Sequence, residues 1–437
     1  MWNKNDNLRN LKRVMNHLGY QMVDGTNEKW NLMWSIEYPY DKFPHIIKNM
    51  TFSKDQKLNH FPGINYLTNK RSLSTSTISK YILPGFRIPE DKIKFENFAE
   101  SNPMKKYVVK NYGNGGVKLV TIDEIKYMNL GESKFIQVFM DNPFLVEGHA
   151  FDIGVYVLIT SLDPLVIYRF KSECLFRFCS EPYQPFNSNN TRKYVVGYDK
   201  LHIWNMRSFE KISNDYSHLK LFENYFKSKG QNVNKLWNTI DEAIVMTILQ
   251  MYKSMHYQFE KECNFYNCTN DNFFELLRFD FMIDVKANVY LMEVNMSPNL
   301  TPAKPEYERN SAQYEQVIYN TLRIIGFEGY QLFKEDYLHS PMTSRNQNLA
   351  VNMETCKICQ NSCSLLSCNV CTNCMSYDFI EVLHKINREH QNRGEFKRIF
   401  PTNSFESNHG LIDLISEKTK LLNHWFNEKC NEDNEWC

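Results

Sequence analysis

No apolar run in this 437-residue sequence reaches the roughly 18 residues that a membrane-crossing helix needs. The segment Met1 to Tyr20 is polar and lacks the apolar core of a secretory leader. Net charge is nearly absent too: 51 Lys and Arg stand against 50 Asp and Glu, leaving +1. That excludes a nucleic-acid binder working through a global basic field. It leaves a local basic groove open, because net charge says nothing about distribution. No internal repeat of 20–50 residues is present. The expected setting is a soluble chain in the cytoplasm; a secretory lumen is the alternative, should a leader precede Met1.

What is present fits a globular protein. Hydrophobic residues make up 42% and charged residues 23%, with 30 Phe and 25 Tyr, and the length suits two to four domains. Leu8, Leu11, Val14, Met15 and Leu18 follow helical spacing, and Gly19 ends that helix. Trp30 to Trp34 is strand-like, and Asn59 to Gly63 (NHFPG) is a turn-rich junction. Strands are expected at Lys106–Lys110, Val117–Val120, Phe135–Met140, Asp152–Ser161 and Leu165–Phe170. Leu236, Ile240, Ile244, Ile248 and Met251 mark a long amphipathic helix, and a second helix runs from about Ala312 to Ile325. Beyond about Arg345 the composition turns polar and Cys-rich, which marks a domain boundary.

The hairpin Phe279 to Asn295 carries the clearest chemistry. A turn centred between Lys286 and Ala287 sets Asp280 directly opposite Glu293, and Asn295 shares the face of Glu293. Two carboxylates directly opposite on paired strands repel. A divalent cation between them removes the conflict, and two carboxylates with an amide oxygen suit Mg2+ beside nucleotide phosphates. The competing reading is a solvent-facing edge hairpin, since surface strands often carry charge.

Lys110 precedes a glycine loop that includes Gly113, Gly115 and Gly116. Glycines let backbone N–H groups approach an anion, and a lysine supplies a point charge for phosphate. The loop lacks the Gly-Lys-Ser/Thr of a P-loop, and an ordinary hairpin is the alternative. Arg177 could clamp a phosphate or carboxylate, or form a surface ion pair. Of 12 Cys, six fall in Cys356-x2-Cys359-x3-Cys363-x4-Cys368-x2-Cys371-x2-Cys374. Cys356, Cys359, Cys371 and Cys374 make a candidate four-thiolate Zn2+ site. The alternative is a disulfide knot, which three sequons, at Asn49, Asn189 and Asn267, favour weakly. Zinc is the expectation, because no leader is visible.

Assembled in order, these segments resemble the tubulin tyrosine ligase-like family from about Trp30 to Ile325. The resemblance rests on Asn59-His60-Phe61-Pro62-Gly63 with Lys70 after it, the Lys110 strand and loop, and Ile136 to Met140. It continues through Phe151-Asp152-Ile153, Arg177 with Ser180-Glu181-Pro182-Tyr183, Phe279 to Asp284, and Leu291 to Pro298. It implies an α/β (α+β) chain with an ATP-grasp fold, a small N-terminal α/β domain and a Cys-rich C-terminal extension. The implied divisions are 1–57, a central lobe at 58–140, a C-terminal lobe at 141–335, and the extension at 345–437. It also implies an ATP-dependent ligase that phosphorylates a carboxylate on a tubulin tail, or another acidic tail, and lets an amino acid's amine displace the phosphate. Tubulin or microtubules are then the partners and the cytoskeleton the location. Lys70 and Lys110 would contact phosphates, with Gly115 and Gly116 in the loop. The backbone from Gln137 to Met140 would hold adenine, Arg177 would serve catalysis, and Asp280, Glu293 and Asn295 would hold Mg2+.

Two departures bear on catalysis. The family motif Lys-Phe-Asp-Leu/Ile-Arg reads Ala150-Phe151-Asp152-Ile153-Gly154 here, so both basic residues are absent. On alternate residues around Asp152, positions 150 and 154 are expected to face the site, and no dedicated substitute is visible. The glycine loop also lacks the Arg-Gly of many members. A nucleotide-binding pseudoenzyme or scaffold, whose Cys-rich tail mediates interactions, is the alternative to a working ligase.

Overall fold

Aromatic and β-branched residues fill the run Phe151–Leu162, and they form a 12-residue strand in which every residue except Asp152 is buried. A strand covered on both faces needs such a continuous apolar run. It lies within a seven-stranded sheet. Along one edge it pairs antiparallel with Glu275–Ile283, which pairs in turn with Val289–Met296. Along the other edge its first residues pair with Leu175–Phe178 and its later ones with Leu165–Phe170. A second, four-stranded antiparallel sheet runs Gly85–Arg87, Lys134–Val138, Tyr107–Asn111, Val117–Val120. These features come from a computed structural model, which describes residues 8–23, 29–44, 47, 52–74, 80–111, 116–128, 134–209, 217–266, 268–302, 305–327, 349–351, 355–359, 362–402 and 414–437.

Strand alternation divides the core. Ile153, Val155, Val157 and Ile159 pack with Leu236, Ile240, Ile244 and Ile248 of the helix Val233–Tyr266. That helix has 34 residues, longer than its expected span, and extends about 51 Å at 1.5 Å per residue. Tyr156 and Leu158 face the other way, against Val317, Ile318 and Leu322 of the helix Ser311–Ile324 and Leu11 and Val14 of the helix Arg9–His17. The N-terminal helix stops where Gly19 takes a left-handed φ of +83°, but the strand expected over Trp30–Trp34 is only Leu32–Met33.

The Asn59-His60-Phe61-Pro62-Gly63 junction is pinned from several sides. Asn59 brackets Ser35, accepting from its N–H at 2.7 Å and donating to its carbonyl at 2.8 Å. The buried His60 ring lies 2.9 Å from Glu275 and 2.9 Å from the Ser297 hydroxyl. Gly63 has φ +87°, and a Cβ there would meet Gln258 Cβ and the Met255 carbonyl at 2.9 Å. Only glycine permits that approach to the long helix.

The Cys-rich extension is part of this core. Its strand Phe396–Phe400 pairs with Leu165–Phe170, adding an edge to the large sheet. Leu383, Trp425 and Phe426, from the helices Tyr377–Gln391 and Glu417–Glu432, pack under Tyr156 and Tyr168. Lys385, on the first of these helices, reaches Asp271 at 2.6 Å.

The zinc expectation finds no support here. Cys356 is joined to Cys371, Cys359 to Cys368 and Cys363 to Cys374. A metal needs thiolates, and these pairings consume all four sulfurs assigned to Zn2+. Among the described residues, no group of three or more His, Cys, Asp or Glu is placed to hold a metal. Further disulfides join Cys263 to Cys268 and Cys430 to Cys437, while Cys174 and Cys179 are free and buried. Among the described residues, no helix is long and apolar enough to cross a membrane.

Candidate nucleotide site

The two sheets meet where the apolar cover beyond Tyr156 gives way to charge at Asp152 and at Asp280, which lies opposite Gly154. In the hairpin, Asp280 pairs with Glu293, yet not through the turn centre inferred from sequence. Near the turn the register runs Ile283 to Val289 and Phe281 to Leu291, and a bulge at Met292 then brings Asp280 opposite Glu293. Bulges re-aim side chains in this way. The turn itself is held by Asp284, which accepts from the N–H groups of Lys286 and Asn288 at 2.9 and 2.8 Å.

Asp280 is fully buried, and both of its oxygens are occupied. Arg278 donates to Oδ1 from Nε at 2.7 Å and to Oδ2 from Nη2 at 2.9 Å. Arg177 Nη2 lies 2.8 Å from Oδ2, and Asn295 Nδ2 donates to the same oxygen at 2.8 Å. Burial alone would raise this carboxyl; Arg177 and Arg278 outweigh it and hold Asp280 well below the usual range. Arg177 also forks onto Asp152, with two bonds of 2.7 Å. Asp152 moves the other way, raised by burial. The surface ion pair considered for Arg177 is therefore a largely buried one.

Glu293 is the open carboxylate of the pair. It accepts from Asn295 at 3.1 Å and lies 3.2 Å from Lys70 Nζ. Lys110 reaches across from the small sheet. Its Nζ donates to Gln137 Oε1 at 2.7 Å, while Gln137 Nε2 donates to the Leu83 carbonyl at 3.0 Å. Burial pulls the Lys110 amine down to about 8, with Glu293 opposing and Lys70 pushing the same way. Met140 is buried just beyond the Lys134–Val138 strand. Gly113 and Gly115 lie outside the described residues, whereas Gly116 opens the Val117–Val120 strand with free space around it.

A nucleotide-bound divalent cation fits part of this set. Glu293 is partly exposed and offers hard oxygens, with the Asn295 amide beside it. Asp280 already accepts from two guanidinium groups and an amide, three of the four contacts falling on Oδ2, so a cation there would compete with them.

The surroundings of positions 150 and 154 add to the sequence reading. Ala150 is fully buried in a cluster with Cys179, Tyr183 and Tyr194, against which Leu119 and Phe139 pack, and its carbonyl accepts from the Cys179 N–H at 2.8 Å. Position 154 does face the site, but a neighbouring side chain fills the space above it. That side chain is Arg278, which sequence reasoning missed. Its signal was an arginine two residues before Asp280, hence on the same face, in a strand otherwise dominated by Leu and Phe.

Residues 48–331 match the family described as the tubulin-tyrosine ligase family. The chain is 34% identical to the Caenorhabditis elegans protein named "Probable tubulin polyglutamylase ttll-15" over 98% of this chain and 84% of that one. It is 27% identical to the mouse tubulin polyglutamylase TTLL6 over 67% of this chain. With the human tubulin polyglutamylase TTLL5 the identity is 24% over 94% of this chain. It spans only 37% and 34% of the length of these two mammalian relatives. The nematode match is long enough to take in the extension. With charged residues of two sheets converging between them, the fold is ATP-grasp-like, and the chain belongs to the tubulin-tyrosine ligase family.

Proposed function

We propose that this protein is an ATP-dependent amino-acid ligase that acts on carboxylates of an acidic protein tail, with tubulin as the first substrate to test. Ligases of this family use ATP and Mg2+ generally, and relatives named as tubulin polyglutamylases point to glutamate as the amino acid. The single observation that carries the reading is the meeting of Lys70 and Lys110 with Glu293 beside the buried Asp152–Arg177–Asp280 set.

In this reading the γ-phosphoryl group passes to the acceptor carboxylate, giving an acyl phosphate and ADP. The amine then attacks the carbonyl carbon, and inorganic phosphate leaves as the amide forms. Lys110, held by Gln137, and Lys70 bring positive charge to the phosphates. Adenine lies along the backbone from Gln137 to Met140. Arg177, fixed by two carboxylates, supplies a preorganised guanidinium where negative charge develops. Glu293 and Asn295 would hold Mg2+, which when bound neutralises phosphate charge.

The test is mass spectrometry of tubulin incubated with the protein, ATP and mixed amino acids. A mass increment of one or more amino acids on a tail peptide is the expected result. Mg-ATP binding with no adduct on tubulin would replace the ligase reading with a nucleotide-binding scaffold, which the absence of a side-chain cation at Ala150 favours. A cytoplasmic, cytoskeleton-associated location follows from tubulin as substrate. The five disulfides favour an oxidising compartment, and there the acceptor would be another acidic protein. Fractionation of cells that express the natural gene, with thiols trapped at lysis, separates the two locations.

A further inference from the structure

Gly154 and Arg278 share one space. On the paired strands Gly154 stands opposite Asp280 and Tyr156 opposite Arg278, so all four lie on one face. A Cβ built on Gly154 would lie 3.0 Å from Arg278 Cδ, 3.2 Å from Asp280 Oδ1 and 3.2 Å from Leu175 Cβ. The stem of Arg278 therefore lies over bare backbone, and its guanidinium closes on Asp280 through bonds of 2.7 and 2.9 Å. Glycine inside a strand weakens it and marks a close approach. A buried arginine is costly unless paired. Each of these two unfavourable choices removes the cost of the other.

We propose that Arg278 supplies, from the neighbouring strand, the guanidinium that the chain lacks at position 154, and that it is a positioning residue for the polyphosphate site. The proposal rests on the nucleotide reading above. Arg278 itself is 8% exposed, so it acts through Asp280 and Arg177. Without it, Arg177 alone would face two carboxylates, the partly buried Asp152 and the buried Asp280, a set of net charge −1. Arg278 brings that set to zero. Lys70, Lys110 and Glu293 then leave the mouth of the site with net charge +1, suited to an incoming polyphosphate.

The experiment measures Mg-ATP affinity by titration, and melting without ligand, on four full-length variants beside wild type. Arg278→Gly and Gly154→Arg are each expected to weaken binding at least about tenfold, below the direct cost of breaking a buried charge pair because Arg278 acts through its neighbours. The exchange Gly154→Arg with Arg278→Gly is expected to return affinity to within about threefold of wild type. Arg278→Lys, which keeps the charge and should fold, is expected to lose about tenfold because a single ammonium cannot fork onto both Asp280 oxygens. A purely structural arginine would lower melting and leave the affinity of the folded protein unchanged. Three results would overturn the proposal: wild-type affinity in folded Arg278→Gly, wild-type affinity in Arg278→Lys, or an exchange variant no better than Arg278→Gly. If wild type itself fails to bind Mg-ATP, the nucleotide reading falls and takes this proposal with it. If wild type binds and the exchange does not rescue, only this proposal falls.

Discussion

Two charged regions sit side by side in the site, and they differ in depth. Lys70 and Glu293 keep 31% and 29% of their side-chain surface, with one contact of 3.2 Å between them. Arg177 and Asp152 keep 12% and 13%, Arg278 and Asp280 9% and 2%, and their contacts are 2.7–2.9 Å. The first region is free to exchange partners with a ligand. The second is already satisfied. Partly exposed pairs contribute little to stability, whereas breaking a buried pair strands a charge away from water. Direct ligand contact should therefore concentrate in the open region and fold stability in the closed one.

The sharpest way to break that contrast is to truncate one acid from each region. Asp280→Ala leaves Arg177 and Arg278 without a shared counter-ion and is expected to lower unfolding free energy by about 3–5 kcal/mol. Glu293→Gln is expected to change it by less than about 1 kcal/mol. Urea unfolding without ligand measures both. Equal losses would remove the distinction between the regions.

Next in size is the extension, which is held by covalent links. Its three clustered disulfides, Cys356–Cys371, Cys359–Cys368 and Cys363–Cys374, are local. Reduction is expected to cost about 2–4 kcal/mol, in the usual range for a disulfide. Because Phe396–Phe400 and Trp425 belong to the same sheet and core as the site, that loss should also lower melting of the nucleotide-binding part. Non-reducing peptide mapping of protein from its natural source checks the pairing. Stoichiometric zinc with reactive thiols would restore the metal assignment.

The third test acts on the open region. Mg-ATP at about 100 times its dissociation constant should add roughly 2.7 kcal/mol. Glu293→Gln is expected to lose most of the Mg2+-dependent part of that gain. A melting shift identical in wild type and variant would remove Glu293 from the cation site.

How much of this was legible beforehand depends on range. The strand Leu165–Phe170 and the helix Ser311–Ile324 follow from periodicity, because burial acts on each residue locally. The face of Asp280, Glu293 and Asn295 follows from strand alternation. The bulge at Met292 does not, since it depends on how the strand packs. Arg278 over Gly154 is a contact between residues 124 positions apart: the place of the arginine on the Asp280 face was readable, but its partner was not. Alternation places Ala150 on the face of Asp152, but nothing in the sequence announces that Tyr183 and Tyr194 pack with it. The cysteine pairing was open for a chemical reason: Cys-x2-Cys spacing serves zinc and disulfides alike.

The smallest expected effect concerns Lys110, which stands between the two regions. Its amine is pulled to about 8, chiefly by burial. Phosphate binding needs it charged. In free protein the charged fraction falls as pH rises through 8, so apparent affinity for Mg-ATP should fall by about tenfold at most between pH 7 and 9. The nucleotide does not offset this, because its terminal phosphate, with a second pKa near 6, is already ionised over that range. Lys110→Arg, charged throughout, should flatten the profile. Stability without ligand should move in the opposite direction. A lysine whose amine is depressed on folding is penalised below about 8 and relieved as pH rises toward the unfolded value near 10.4, so its contribution improves over that window. Affinity that falls while unliganded stability rises, with both trends lost in Lys110→Arg, identifies Lys110 as the titrating group. A profile that persists in the variant assigns the titration elsewhere.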